Sequence, residues 1–307
     1  MTVMLAASRH SVSWRGLPST WSPKSRGQSS DPTCLMSDQT LTGSSAPPNE
    51  ALLARIRESL RVDGYAYLGP MLYAAEVSAL RDAMERKWHD KAIREDEVGD
   101  HIRRSSMMRM FEYDRSFRDL IVREPFPTIA ETILGDDCHL MSQNALYNDP
   151  GVGGGWHLDD VCQYPVPDDA DGHDPDCPPP CMVLQIFTPL TDVDNEDRSP
   201  TQVVPGSHLA GRKPRPGEDN PTFRDRGPVS ILAKAGDAYC FNNQVWHRGP
   251  VNTTDEPRLL AGATYSRRII AQRFYPFIDY QMPKHVWEGA GPRLQRMLGR
   301  HKKGAYG

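Results

Sequence analysis

Residues 153–159 read Gly-Gly-Gly-Trp-His-Leu-Asp, a run of glycines followed by a histidine and an aspartate two positions apart. On a strand, residues i and i+2 point to the same face, so we expect His157 and Asp159 to project together. An imidazole and a carboxylate side by side are two of the three ligands in the 2-His-1-carboxylate triad of non-heme Fe(II) sites. Alone, the pair is also typical of a surface ion pair or a capping aspartate, so the hypothesis needs a third ligand.

The third ligand must come from a distant strand. His247 lies in the stretch 241–250, Phe-Asn-Asn-Gln-Val-Trp-His-Arg-Gly-Pro, which follows a tight Gly-Asp turn at 236–237. This order predicts that His247 lies at the end of a strand. Eleven residues later, Arg258 opens the next apolar run, where its planar guanidinium can hold a carboxylate through two hydrogen bonds. Between the two histidines, residues 203–208 read Val-Val-Pro-Gly-Ser-His, a turn after an apolar pair.

These elements together resemble one known family. The elements that resemble the phytanoyl-CoA dioxygenase family are, in chain order, a helix followed by Asp63-Gly64-Tyr65, the pair His157-x-Asp159, the stretch 203–208, and His247 with Arg258. The resemblance covers roughly residues 50–270. It implies a mainly β fold with packed helices, a double-stranded β-helix (jelly roll), that binds Fe(II) and the cosubstrate 2-oxoglutarate.

The resemblance also implies roles for individual residues. The positions that match the family's iron ligands are His157, Asp159 and His247. Arg258 matches the residue that pairs with the distal carboxylate of 2-oxoglutarate, and Gln143 or Asn144 occupies a region that often helps to hold the cosubstrate. Halogenases of the family replace the carboxylate ligand with a small residue, so the presence of Asp159 argues against halogenation. The chain departs from the family at 197–200, where Asp-Arg-Ser-Pro stands in place of the usual Asn-Gly turn.

Composition divides the chain of 307 residues into two parts. Residues 1–48 are rich in Ser, Thr, Pro and Arg and contain only two acids, a composition too polar to offset the entropy of ordering. This segment fits either an organellar transit peptide or a disordered N-terminal extension with Met36 as the true start. The apolar residues in it form no helical stripe, which favours the disordered extension.

The remainder, 49–307, is expected to form a single oxygenase domain with a helical part at 49–135, a jelly-roll core at about 138–270 and a C-terminal tail. Short extended runs separated by Gly, Pro, Asn and Asp predict strands at 138–147, 155–159, 182–190, 201–205, 229–233, 237–242 and 258–267.

Several classes of protein are excluded or disfavoured. No apolar run approaches the ~18 residues of a membrane span, so membrane integration is not expected. The formal net charge is −4 and no block of Lys and Arg stands out, so we expect no nucleic-acid partner. Six cysteines in a chain of this length do not make a disulfide scaffold, and no secretory signal is visible, so the expected location is the cytoplasm.

Residues 157–197 contain eleven acids and neither Lys nor Arg. The segment can be a solvated surface loop, or an acidic lid that attracts a polycationic small molecule and repels an acyl-CoA. The acidic insert also makes the chain similar to the aminoglycoside-tailoring members of the family. We therefore expect a dioxygenase that oxidises a C–H bond of a small cationic, aminoglycoside-like natural product, with deamination to a ketone and release of succinate and CO2. The alternatives are a hydroxylase of another small metabolite and a non-catalytic jelly-roll binding module.

Overall fold

The computed structural model describes residues 46–90, 106–167, 169–274 and 277–301. Except for 46–48, the predicted N-terminal extension lies outside the described residues. Within these ranges, no helix combines the length and the apolar character that crossing a membrane requires.

The helices and strands follow one another in an order that places most helices first. The helices are α1 (Glu50–Val62), α2 (Ala74–His89), α3 (Met110–Tyr113), α4 (Arg115–Ile121), α5 (Phe126–Leu134), α6 (Lys284–Trp287) and α7 (Pro292–Met297). The strands are β1 (Tyr65–Pro70), β2 (Ser106–Met108), β3 (His139–Ser142), β4 (Asn144–Asn148), β5 (Val183–Pro189), β6 (Thr201–Val203), β7 (Val229–Ile231), β8 (Asp237–Asn242), β9 (His247–Arg248) and β10 (Arg258–Ser266). Short 3₁₀ turns lie at Glu196–Arg198, Ser207–Leu209 and Phe277–Asp279.

The strands form two antiparallel sheets. The larger has the order β1-β8-β5-β10-β4-β2 with β3 also paired to β10, and the smaller has the order β7-β6-β9. Side chains alternate along β10, so that Leu259 and Ala261 pack with the helices while Leu260 packs between the sheets against residues such as Phe187 and Val203. The predicted jelly roll with helices packed outside it is confirmed.

Two predicted strand positions are wrong. No strand forms at 155–159, where only His157 makes an isolated bridge, and it pairs with His247. His247 does not end β8 but opens β9, because β8 stops at Asn242. The side chain of Asn242 accepts a hydrogen bond from the Gln244 backbone (3.1 Å), and its carbonyl accepts one from Val245 (2.9 Å). These are the local bonds by which asparagine turns a chain.

The predicted strand 138–147 is divided into β3 and β4 at Gln143, where the pairing with β10 changes from one strand to the other. The side chain of Gln143 points to α4 and donates to the Phe117 carbonyl (2.8 Å).

At 197–200, where the chain departs from the family's turn, Ser199 adopts a left-handed backbone (φ 57°) and its hydroxyl donates to the Pro250 carbonyl. The serine therefore keeps the backbone conformation that glycine adopts most easily.

The turn at 205–208 docks on the end of α1, 140 residues earlier in the chain. The Gly206 amide donates to the Asp63 carbonyl (2.9 Å), and His208 lies buried against Gly64 and donates from Nε2 to the Arg61 carbonyl (3.1 Å). A Cβ on Gly64 would lie 2.5 Å from His208 Nδ1, so only glycine fits. Burial lowers the pKa of His208 to about 4.

This shift predicts a pH dependence of stability. An unfolded histidine titrates near pH 6.5, so the contribution of His208 is complete above that pH and is lost as the pH falls through about 4. Between pH 7 and 4.5 the free energy of unfolding should fall by roughly 2–3 kcal/mol more in the wild type than in His208→Gln. Urea denaturation at the two pH values measures the difference, with the exposed His89→Gln as control. Equal pH dependence in the wild type and His208→Gln would contradict the assignment.

Candidate metal centre

His157, Asp159 and His247 come together at one end of the jelly roll. Their potential ligand atoms all lie within 4.8 Å of one another, and among the residues described they form the one cluster of three or more His, Cys, Asp or Glu of this kind. The two Nε2 atoms each lie 3.6 Å from an oxygen of Asp159. Ligand atoms at right angles and about 2.1 Å from an ion are about 3 Å apart, so small rotations of the side chains would close the site on one metal.

The backbone fixes the two histidines opposite each other. The His157 amide donates to the His247 carbonyl (3.0 Å), and the His247 amide donates to the His157 carbonyl (2.8 Å). The glycine run makes the approach possible: a Cβ on Gly153 would lie 2.5 Å from the backbone of Val251. A single short pairing thus replaces the predicted strand and still brings His157 and Asp159 to one point.

Hydrogen bonds also select the tautomer of each imidazole. Nδ1 of His157 lies 2.9 Å from the Gly155 carbonyl, and Nδ1 of His247 lies 2.8 Å from the Val245 carbonyl. A carbonyl accepts only, so Nδ1 carries the hydrogen and Nε2 presents its lone pair to the centre. Burial lowers the pKa of His247 against the opposing effect of Asp159, which favours the neutral, ligating form.

Gln185 is a site residue that the sequence analysis missed. It lies on β5, is buried, and donates from Nε2 to Oδ2 of Asp159. In the sequence Gln185 stands out only as one amide in the otherwise apolar run 183–187, and its role depends on which residue it contacts in the fold. Gln185 therefore orients the only carboxylate of the cluster.

A cavity with a mixed polar and apolar lining adjoins Asp159, the carboxylate of the cluster. Its lining includes Asp159, Gln185 and Asn144, together with Asn243 and Arg273. Oδ1 of Asn144 is buried and has no hydrogen-bond partner among the described residues. Of the two amides proposed from the sequence, Asn144 faces this cavity, whereas Gln143 faces α4.

Arg258 is buried inside the jelly roll at the first position of β10. One guanidinium nitrogen donates to the Thr201 hydroxyl (2.8 Å), which also lies 2.7 Å from the Tyr239 hydroxyl. Nε has no partner, and no carboxylate of the described chain forms an ion pair with this arginine. A buried guanidinium bonded only to hydroxyls fits the carboxylate of a bound small molecule.

The acidic segment divides into two groups. Asp159 and Asp160 line the cavity, and the later part of the loop packs elsewhere, through the His173 amide to the Leu209 carbonyl (2.7 Å). No ion pair is found for Asp169, Asp171 or Asp174 in the part of the chain with described coordinates, and Asp168 lies outside it. The segment is therefore a solvated loop for most of its length, with one acid beyond the triad placed at the cavity.

Comparisons with known proteins identify the family and the fold. Residues 60–260 match the family described as phytanoyl-CoA dioxygenase. The dioxygenase af480 of Aspergillus fumigatus is 26% identical over 253 residues, which cover 78% of this chain and 74% of the relative. The structure of the epimerase SnoN in complex with Fe3+, alpha ketoglutarate and nogalamycin RO is 22% identical with a TM-score of 0.56, covering 76% of this chain and 91% of that one.

HygX from Streptomyces hygroscopicus, solved with nickel and 2-oxoglutarate bound, has a TM-score of 0.55 at 15% identity. The match covers 72% of this chain and 88% of HygX. These structural likenesses show the shared fold.

The contact between Gln185 and Asp159 can be tested by substitution. Gln185→Leu removes the donor that orients the carboxylate, so the affinity for Fe(II) or Co(II), measured by anaerobic titration, should fall roughly tenfold. Gln295→Leu, on α7, removes an amide donor to the Ala290 carbonyl, serves as the matched control and should bind metal as the wild type does. Unchanged metal affinity in Gln185→Leu would show that the contact does not position Asp159.

Proposed function

The chain belongs to the phytanoyl-CoA dioxygenase family of Fe(II)- and 2-oxoglutarate-dependent dioxygenases, and we propose that it oxidises a C–H bond of a small, cationic natural product. We assign iron binding to His157, Asp159 and His247. The observation that carries this assignment is the convergence of two imidazole Nε2 atoms, with their tautomers fixed, on one carboxylate. The carboxylate of Asp159 also separates the chain from halogenating relatives.

The cosubstrate is assigned to the interior of the jelly roll. Arg258 and Thr201 would hold the distal carboxylate of 2-oxoglutarate, and Asn144 would donate from its amide near the metal end. The buried Nε of Arg258 without a protein partner supports this role. When bound, iron, 2-oxoglutarate and O2 together supply the oxidant for the substrate C–H bond, and 2-oxoglutarate leaves as succinate and CO2.

The chain's own residues have three tasks in this scheme. The two histidines and Asp159 would hold the metal and would leave its remaining coordination positions to the cosubstrate and O2. Arg258 fixes the far end of the cosubstrate, and burial of the arginine keeps water away from that end. Amides and hydroxyls such as Asn243 and Thr264 form part of the cavity lining and would bind polar groups of the substrate, and methionine and valine side chains form an apolar part.

A cationic substrate is proposed from the two acids of the segment 157–197 that line the cavity, Asp159 and Asp160. The narrower proposal is an aminoglycoside-like compound, by similarity to the family member that acts on kanamycin B. Oxygen insertion at a carbon that bears an ammonium group gives a carbinolamine, which loses ammonium and leaves a ketone. The second oxygen atom of O2 enters succinate.

The cysteines that the structure describes are free, which is consistent with our proposal that the enzyme works in the cytoplasm.

The first experiment is an anaerobic difference spectrum of the metal-free protein on addition of Fe(II) and then of 2-oxoglutarate. We expect a weak charge-transfer band that requires both additions and is absent in Asp159→Ala. Succinate release is then measured with aminoglycosides, simple amines and their neutral analogues. Turnover with neutral metabolites alone would favour the hydroxylase alternative, and absence of the band in the wild type would reject the assignment.

Arg258→Met tests the cosubstrate site separately from the metal site. Because the variant leaves a carboxylate without its buried partner, the KM for 2-oxoglutarate should rise roughly 30-fold or more while Fe(II) affinity is retained. Arg115→Met, on the exposed surface of α4, is the control. An unchanged KM would place the cosubstrate elsewhere.

A further inference from the structure

We propose that Asp160 binds an ammonium group of the substrate and that Arg273 is the counter-ion which this ammonium replaces. The inference rests on the proposed function, because it names the residue that would recognise a cationic substrate. Asp160 immediately follows the proposed ligand Asp159, and both line the cavity together with Arg273.

The backbone directs Asp160 toward the cavity. Asp160 adopts a left-handed conformation (φ 64°), which is uncommon for residues other than glycine, although aspartate tolerates it better than most. This turn lets two consecutive aspartates, Asp159 and Asp160, line one cavity instead of pointing to opposite sides as on a strand. The second carboxylate is therefore held next to the reacting centre.

The two partners of the ion pair are held very differently. The side chain of Asp160 is 16% exposed, and its second oxygen accepts a hydrogen bond from Nδ2 of Asn243 (3.3 Å). Asn243 is itself fully buried and accepts from Gln163 (3.2 Å) and Gln244 (3.4 Å). Asp160 is thus a fixed carboxylate at the end of an amide network.

Arg273 is the member that can leave. It donates to Asp160, but its side chain is 47% exposed and it makes no other ion pair within the described part of the chain. It lies in the segment after β10, where its backbone amide donates to the Met141 carbonyl (2.7 Å). Rotation of its side chain into water would leave the backbone in place.

Charge balance decides which substrates the exchange admits. Removing Arg273 without a replacement would leave a largely buried carboxylate unpaired, which is costly. An ammonium group that takes the place of the guanidinium keeps Asp160 paired, while Arg273 becomes fully hydrated. A neutral analogue cannot replace the guanidinium as the charged partner of Asp160, and an anionic group would be repelled by Asp160. The pair therefore selects for a cation by rejecting the alternatives.

The test uses the anaerobic Fe(II)–2-oxoglutarate complex and two probes, the diaminocyclitol 2-deoxystreptamine and its neutral N,N′-diacetyl derivative. Dissociation constants are read from the change that each probe causes in the charge-transfer band. The wild type should bind the diamine more tightly than the diacetyl form. In Asp160→Asn the affinity for the diamine should fall about tenfold, with little change for the neutral probe.

The direction in which Arg273→Gln changes the affinity for the diamine is the deciding result. Because this substitution removes the competing cation, the affinity for the diamine should rise about threefold. A purely structural role for the pair would instead weaken binding in both variants. Asp119→Asn, on α4, removes an equal charge from a distant surface and serves as the control.

The outcomes separate the two proposals. Absence of the band in the wild type rejects the proposed function itself. With the band intact, weaker diamine binding in Arg273→Gln, or no preference of the wild type for the diamine, would overturn the counter-ion exchange. Should Asp160→Asn lose the band through damage to Asp159, the Arg273→Gln result decides alone.

Discussion

Two backbone hydrogen bonds, exchanged between His157 and His247, are the constraint on which the rest of the site depends. The residues are separated by 90 positions: His157 lies in an irregular segment, and His247 opens the two-residue strand β9. Because each amide bonds the other residue's carbonyl, the two imidazoles cannot drift apart without breaking both bonds. The Nδ1 contacts to Gly155 and Val245 then leave only Nε2 to face the centre. Asp159 follows within two residues, and its carboxylate is then oriented by Gln185.

The pairing of His157 with His247 is supported by the turn at 205–208 and, through that turn, by the end of α1. Ser207 accepts a hydrogen bond from the Trp246 amide (2.8 Å) and donates to the Val204 carbonyl (2.7 Å), so the turn at 205–208 fixes the residue before His247. The same turn rests on the end of α1 through Asp63 and the ring of His208 against Gly64. The segment 63–65 after α1 and the stretch 203–208, which look unrelated in the sequence, therefore form one structural unit that supports β9.

Periodicity predicted a β fold with helices packed outside it and six of the seven strand regions at least approximately. The family resemblance supplied the jelly roll and the match of His157, Asp159 and His247 to one ligand set. They could not predict that 155–159 is irregular, because a histidine and an aspartate two apart fit a strand as well as a turn. Gln185 and Thr201 were missed for a different reason: a polar residue in an apolar run gains meaning only from its partner, here Asp159 and Arg258. The role of Arg273 likewise depends on a tertiary contact outside the segment that the family resemblance marks.

The burial of Arg258 without a protein carboxylate also affects the stability of the ligand-free protein. Folding desolvates this guanidinium and returns only hydroxyl contacts, so the ligand-free protein carries an energetic deficit in its interior. A keto acid bound there as proposed would stabilise the native state by an amount that grows with the logarithm of its concentration, about 2.7 kcal/mol at a hundredfold excess over the dissociation constant. Under this proposal the resistance of the protein to unfolding would rise with the supply of its cosubstrate, so the interaction that positions the cosubstrate would also stabilise the fold.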